Sequence, residues 1–191
     1  MSRNMRFVIP AILAMLVLAG CSNRSGEGGS SPAPPQPHRK SGSVAPEDVS
    51  VEIIDEAGFA DVLKRHRGKV VLIDYWATYC APCLKLFPHT VELHRKLAHE
   101  GLVVISISLD YPEDEPDVRK RLAEQGAAFE NFISRYGTGT RSADVFDLPS
   151  GVPYFQLYDR DGKLSKTFAA PIDPDEIDKA VEKFLALSRN G

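Results

Sequence analysis

One nearly continuous apolar run in the middle of the chain restricts its fold more than any other feature. Lys69-Val-Val-Leu-Ile-Asp-Tyr-Trp76 holds a single acid in the seven residues that follow the lysine. Runs of this kind are typical of a strand buried on both faces, in a sheet that helices cover. A second such run is Leu102–Leu109. The sequence therefore predicts an α/β domain around a buried central sheet.

Shorter patterns predict the elements around these two strands. In chain order, these elements follow from alternating apolar residues for strands, from helical spacing of apolar residues for helices, and from the turn residues between them. They are a strand Val49–Ile54, helices Ala57–Arg67, Cys83–His99 and Asp117–Gln125, a hairpin of Pro153–Tyr158 and Leu164–Phe168 around Asp159–Gly162, and a helix Asp173–Leu187. The stretch 126–151 mixes aromatic residues with glycines, and we predict a partly helical insertion with a loop there. This order predicts a mixed sheet with helices on both faces.

Length and composition limit the function classes. The chain has 191 residues, of which 43% are hydrophobic and 26% charged, so one ordinary soluble domain with tails is expected. The formal net charge is -3 and no basic stripe is present, so nucleic acid is not an expected partner.

The first 48 residues resemble a targeting signal followed by a tether rather than a folded unit. Arg3 and Arg6 precede the apolar run 7–18 and two small residues, which is the pattern of an export signal. A transmembrane anchor is the alternative, but the run stops at Cys21, short of the roughly 20 apolar residues that span a bilayer. Gly, Ser and Pro dominate residues 22–48, which predicts a disordered tether.

Leu18-Ala19-Gly20-Cys21 resembles the lipobox of bacterial lipoproteins. The resemblance implies removal of residues 1–20 as a lipoprotein signal peptide and acylation of Cys21. Residues 21–48 would then be a lipidated tether that anchors the domain 49–191 to a cell-envelope membrane, facing the periplasm or extracytoplasmic space. The alternative is that Cys21 is an ordinary residue near a conventional cleavage site.

The two other cysteines share one short motif, Trp76-Ala-Thr-Tyr-Cys80-Ala-Pro-Cys83, which leaves the buried strand and enters a helix. A helix N-terminus favours negative charge and so stabilises a Cys80 thiolate. Pro82 suits the first helical turn, where its missing N–H is not needed. Cys83 is within reach to close a small disulfide. The arrangement predicts thiol–disulfide exchange, in which Cys80 attacks and Cys83 resolves the mixed disulfide.

Three other interpretations of the cysteine pair compete with thiol–disulfide exchange. A zinc site needs further ligands, and the domain has no other cysteine, while its helix histidines His89, His94 and His99 spread around their helix. A static disulfide would close so short a loop that it constrains the unfolded chain little. Neither inert thiols nor a static disulfide would explain why the two cysteines of the domain share one motif. We therefore expect no metal and no organic cofactor beyond the redox-active Cys80–Cys83 disulfide.

Val70–Cys83 resembles the active-site segment of the thioredoxin superfamily. Pro88 matches the family's helix-kinking proline, and Gly151-Val152-Pro153 matches its cis-proline loop. The segment 111–150 resembles the insertion of the TlpA/ResA-like branch. The resemblance implies a thioredoxin-like fold over 49–191, with a TlpA-like insertion before the cis-proline loop. With the lipobox, it implies a membrane-tethered thiol–disulfide oxidoreductase.

The resemblance also implies a proton acceptor. Asp74 lies six residues before Cys80 and matches a buried acid behind the second cysteine of thioredoxins. Burial would raise its pKa and suit it to accept the Cys83 proton. The alternative is a strand-end acid that points at water. Ser106 stands where thioredoxins carry a lysine in the neighbouring buried strand. The resemblance therefore gives Asp74 no lysine partner.

The residues around the cysteines form the predicted substrate contact. The resemblance implies a cis Pro153 with a role in catalysis and a Val152 whose backbone an extended substrate chain can pair with; a trans proline that opens a strand is the alternative. Trp76 and Tyr79 flank the cysteines as a docking rim or as packing aromatics, and Trp76 suits the structural role better. The predicted substrate-binding set is Trp76, Tyr79, Ala81, Pro82 and Val152.

Acidic residues follow the second buried strand. They comprise Asp110 and the run Glu113-Asp114-Glu115. Charge runs of this kind are usually solvated. We therefore expect Asp110 and the run to lie in a solvated loop.

Two hypotheses of function from different classes follow. The first is an enzyme that reduces disulfides of exported proteins, with electrons from a membrane thiol donor. Its substrates include apocytochrome c with its CxxCH site, and an oxidase or isomerase would use the same cysteines. The second is a non-enzymatic lipoprotein that keeps the fold and uses its loop for docking. Nothing in the sequence resembles the peroxide-binding pattern of peroxiredoxins or a copper-binding set.

Overall fold

The computed structural model describes residues 45 and 48–187. The chain divides into two units, Met1–Pro37 and His38–Gly191, and all described residues belong to the second. The predicted signal peptide, Cys21 and nearly all of the predicted tether lie outside the described residues. Within 48–187, no helix has both the length and the apolar character needed to cross a membrane.

Six strands form one mixed sheet in the order β1-β4-β3-β2-β5-β6. The strands are β1 Glu52–Ile54, β2 Val70–Trp76, β3 Leu102–Ser108, β4 Glu130–Ser134, β5 Tyr154–Tyr158 and β6 Leu164–Ala169. The helices are α1 Glu56–Arg65, α2 Ala81–Leu97, α3 Glu115–Gln125, α4 Thr140–Phe146 and α5 Pro174–Leu187. Short 3-10 turns at Ala98–Glu100 and Pro112–Asp114 precede β3 and α3.

The nearly continuous apolar run after Lys69 forms the central strand β2, and all seven residues of this strand are buried. It pairs in parallel with β3 from Val70 opposite Leu102 to Trp76 opposite Ser108, and antiparallel with β5. The four strands β1, β4, β3 and β2 run parallel. The carboxyl ends of β2, β3 and β4 and the start of β5 therefore meet at one edge of the sheet.

Helices cover both faces of the sheet. On one face, Val71, Ile73 and Tyr75 of β2 pack in a cluster that includes Val62 of α1 and Phe146 of α4. On the other face, Trp76 packs with residues of α2 and α3, while Val70 and Leu72 pack with α5. This is the predicted α/β architecture, and the alternation of side chains along β2 explains it, because successive residues of a strand face opposite sides.

The hairpin of β5 and β6 is also confirmed. Its turn is fixed by Asp159, whose carboxylate accepts hydrogen bonds from the amides of Asp161 and Lys163, both at 3.0 Å. Gly162 adopts a φ of +74°, a left-handed conformation that glycine adopts without the steric cost of a Cβ.

The prediction for 126–151 was incomplete. It contains the helix α4, as expected, but also the strand β4, which the sequence analysis missed. Polar residues hid β4, because Asn131 and Ser134 are both buried yet have hydrogen-bond partners. Predicted element ends were also shifted: β1 begins at Glu52 rather than Val49 and α2 begins at Ala81 rather than Cys83.

Candidate active site

The two cysteines of the motif form a closed disulfide where β2 passes into α2. Cys80 and Cys83 are linked with their Cα atoms 5.3 Å apart. Cys80 is the N-cap of α2, and its sulfur accepts a hydrogen bond from the Cys83 amide at 3.2 Å. Pro82 lies in the first turn, as predicted. Free amides at this helix end stabilise negative charge on the Cys80 sulfur once the disulfide is opened.

The two sulfur-bearing residues differ in burial. Cys80 is 7% exposed and Cys83 is 2% exposed. Both belong to a cluster with Trp76 and Phe87. The outer residue is thus Cys80, which suits it to attack, while the inner Cys83 is placed to resolve a mixed disulfide.

The predicted substrate contacts divide into exposed and buried residues. Tyr79 is 61% exposed, and Ala81 and Pro82 are exposed as well. Trp76 is only 1% exposed and its ring packs edge-on against Phe87, with centroids 5.1 Å apart. Trp76 therefore packs in the core beside the cysteines, whereas the exposed members of the predicted set are Tyr79, Ala81 and Pro82.

The Gly151–Pro153 loop has the conformation that the resemblance implied. The Val152–Pro153 peptide bond is cis, Pro153 is buried and Val152 is half-buried against the cluster that holds both cysteines. A second cis bond, Ala170–Pro171, carried no recognisable signal in the sequence.

Asp74 is buried in the central strand β2 rather than pointing at water. It is 2% exposed, and Thr90 of α2 donates its hydroxyl to Oδ2 at 2.7 Å. Burial raises the pKa of Asp74 to about 7, while the Thr90 hydrogen bond acts in the opposite direction. Ser106 is its register neighbour on β3, but the Ser106 hydroxyl donates to Asn131 instead. Thr90 is thus the hydrogen-bond partner of Asp74, and sequence reasoning missed it.

Asp110 contradicts the solvated loop expected for it. It is 4% exposed and accepts hydrogen bonds from the Thr78 amide at 2.9 Å and the Thr78 hydroxyl at 2.5 Å, and from the Ser108 hydroxyl. The physical reason is the parallel pairing of β2 and β3, which continues past their ends where the Leu109 amide donates to Trp76 at 2.8 Å. Thr78 and Asp110 each follow their strand by two residues, and that equal offset is the signal that could have found the contact.

A shallow cleft of about 270 Å³ adjoins the cysteines. Thr78 and Tyr79 line one side, and α3 contributes Asp117, Lys120 and Arg121. A larger cavity of about 510 Å³ is lined by Val49 and by residues around the start of β4, and by neither cysteine. The cysteines therefore lie beside an open cleft rather than in a deep pocket, which suits a protein substrate better than a small molecule.

Metal-binding geometry is absent from the part of the chain that the structure describes. No group of three or more His, Cys, Asp and Glu residues is placed to hold an ion there. Among the described residues, the cysteine pair and the buried Asp74 are the candidate groups for the chemistry.

The fold and the cysteine pair define a thioredoxin-like thiol–disulfide oxidoreductase. The profile of the AhpC/TSA family matches residues 45–184, and the chain belongs to that family.

Relatives agree with this class. The chain is 27% identical over 142 residues to the thiol-disulfide oxidoreductase ResA of Bacillus thuringiensis subsp. konkukian, covering 74% of this chain and 77% of that protein. It is 29% identical over 133 residues to the thiol:disulfide interchange protein HelX of Rhodobacter capsulatus, covering 69% of each. A crystal structure assigned to thiol:disulfide interchange protein DsbE from Chlorobium tepidum superposes with a TM-score of 0.56 at 25% identity, covering 64% of this chain and 84% of that chain.

Proposed function

We propose that this oxidoreductase works as a reductase of disulfides in exported proteins. The observation that carries the proposal is a disulfide at the carboxyl end of β2, next to the exposed residues Tyr79, Ala81 and Pro82, together with a buried acid in the same strand. Cys80 is the more exposed of the two cysteines, and burial raises the pKa of Asp74 to about 7, so near neutral pH part of the Asp74 population is ionised and can accept a proton. Exchange chemistry needs a nucleophile that partners can reach and a base for the second thiol.

The reaction begins with the pair reduced. A substrate disulfide docks at the rim of Tyr79, Ala81 and Pro82 while its chain pairs with the backbone of Val152. The Cys80 thiolate attacks one substrate sulfur, and the other substrate sulfur leaves as a thiolate that takes up a proton from solvent. A mixed disulfide through Cys80 results.

Resolution returns the electrons to the substrate. Cys83 loses its proton to Asp74 and attacks the Cys80 sulfur, so the second substrate sulfur leaves as a thiolate and the Cys80–Cys83 disulfide closes. The substrate gains two electrons and becomes a dithiol, while the enzyme pair is oxidised by two electrons. No organic cofactor is required, because the electrons pass between sulfur atoms. A membrane thiol donor would reduce the pair again by the same exchange.

The site of action is the extracytoplasmic side of a membrane. An export signal over 1–20 and lipidation of Cys21 would tether the domain there through the segment 22–48. Apocytochrome c, with its CxxCH site, is the substrate we propose for such an arrangement. The names of ResA and HelX as a thiol-disulfide oxidoreductase and an interchange protein support the exchange chemistry.

Trapping tests the proposal. The full chain with Cys83→Ser is expressed in its host, and mixed disulfides are isolated by non-reducing gels and identified by mass spectrometry. We expect adducts of exported proteins with cysteine pairs, joined through Cys80, that disappear on reduction. The matched control, Cys80→Ser, should form none.

Two outcomes would contradict it. Absence of adducts, with function retained in Cys80→Ser, would identify the chain as a non-enzymatic binding protein. Accumulation of reduced substrates that the wild type normally oxidises would indicate an oxidase or isomerase instead.

A further inference from the structure

The buried carboxylate of Asp110, which contacts the turn between β2 and α2, takes no part in the exchange steps above. Asp110 accepts hydrogen bonds from the amide and hydroxyl of Thr78 and from the hydroxyl of Ser108, which is itself fully buried. The Asp110 amide in turn donates to the Ser108 hydroxyl oxygen at 3.0 Å. The side-chain oxygens of Asp110 thus accept hydrogen bonds from one amide and two hydroxyl groups.

This carboxylate is held close to the attacking cysteine. Thr78 is two residues before Cys80, so by the spacing of successive Cα atoms its backbone lies within about 8 Å of the Cys80 Cα. The turn is tighter than that limit, because the Cys80 amide donates to the Ala77 carbonyl at 3.1 Å. A negative charge at this range raises the free energy of a thiolate on Cys80.

Two opposing influences therefore act on Cys80. The N-terminus of α2 favours a thiolate there, and a carboxylate behind the loop disfavours it. Disfavouring the thiolate destabilises the reduced pair relative to the disulfide, which carries no charge. A pair whose disulfide form is favoured gives up its electrons more readily, as a reductase must.

Resting on the oxidoreductase function proposed above, we propose that Asp110 is a positioning residue that sets the reactivity of Cys80. Its hydrogen bonds with Thr78 fix the turn ahead of Cys80. Its charge makes the reduction potential of the Cys80–Cys83 pair more negative.

The central test is Asp110→Asn in the full chain, which keeps the shape of the side chain and removes its charge. In a Cys83→Ser background, we expect iodoacetamide at pH 6 to alkylate Cys80 about three- to tenfold faster than in the parent, as the Cys80 peptide shows by mass spectrometry. With both cysteines present, the equilibrium constant with glutathione should shift about three- to tenfold towards the dithiol. That corresponds to a potential about 15–30 mV less negative, at 29.6 mV per tenfold.

Two controls separate charge from structure. Asp159→Asn removes a turn-fixing carboxylate at the opposite edge of the sheet, and both readouts should stay within about twofold of the parent. Thr78→Val keeps the Asp110 charge but removes one donor from the loop. It should leave the glutathione equilibrium within about twofold and raise KM for a protein disulfide.

The inference would be overturned if iodoacetamide alkylated Cys80 in Asp110→Asn at the rate of the parent. It would also be overturned if Thr78→Val shifted the glutathione equilibrium as much as Asp110→Asn does. If Asp110→Asn does not fold, Asp110→Ser removes the same charge and carries the same expectation. If the wild-type pair never exchanges with glutathione, the proposed function fails. Alkylation of Cys80 still reports on Asp110 in that case, so the two failures are distinguishable.

Discussion

At the scale of single residues, Asp74 links the chemistry of the site to the stability of the fold. Its pKa is raised by burial from 3.8 to about 7. The folded protein therefore keeps a proton that the unfolded chain releases at a lower pH. The stability that this proton contributes is fully present below about pH 4 and is lost as pH rises through about 7.

Asp74→Asn removes this titration. Between pH 4 and pH 8, the free energy of unfolding of the oxidised wild type should fall relative to that of Asp74→Asn by on the order of 4 kcal/mol, from the difference between the two pKa values. Urea unfolding across the pH range measures it. Parallel profiles for the two proteins would show that Asp74 does not hold its proton in the folded state.

Thr90 provides the control for that experiment. Its hydrogen bond lowers the pKa of Asp74, so Thr90→Val should move the loss of stability to higher pH. Thr90→Ser keeps the hydroxyl and should leave the midpoint of the loss near that of the wild type. A midpoint that moves equally in both variants would assign the effect to packing.

At the scale of elements, local patterns could be predicted and contacts between distant segments could not. The cysteine pair and the start of α2 lie in one short stretch, so strand, turn and helix signals coincide there. Asp110 looked solvated because only its pairing across two parallel strands buries it, and no local pattern records that pairing. The strand β4 was missed for a similar reason, since its buried Asn131 accepts a hydrogen bond from Ser106 on β3, 25 residues earlier in the chain.

The loop after β4 gives a test of packing at this scale. Gly137 has a φ of +60°, and a Cβ there would overlap the ring of Tyr111, whose hydroxyl donates to the Thr138 carbonyl at 3.2 Å. Gly137→Ala should therefore lower the free energy of unfolding by about 2–4 kcal/mol, from left-handed strain plus the displaced ring. Chemical denaturation measures the change.

Two glycines separate the causes of that loss. Gly68 has a φ of +85° and open space around it, so Gly68→Ala should cost only the strain, about 1–2 kcal/mol. Gly139 has extended backbone and open space, and Gly139→Ala should be nearly neutral. A loss in Gly137→Ala no larger than in Gly68→Ala would mean that Tyr111 moves aside at no cost.

At the scale of the whole molecule, the mixed sheet gathers groups that are far apart in sequence at one edge. Cys80 follows β2, Asp110 follows β3 and Pro153 precedes β5, and the pairing of these strands sets them side by side. The function therefore depends on topology as much as on the motif. That is why the sequence could indicate the nucleophile directly but its surroundings only through resemblance to a fold.

The most direct measurement is the reduction potential of the Cys80–Cys83 pair in the full chain, equilibrated in glutathione and dithiothreitol buffers. The account predicts one reversible two-electron transition near the thioredoxin end of the scale, about -270 mV. A potential near about -120 mV would contradict the reductase direction. A pair that never titrated reversibly would contradict the oxidoreductase itself.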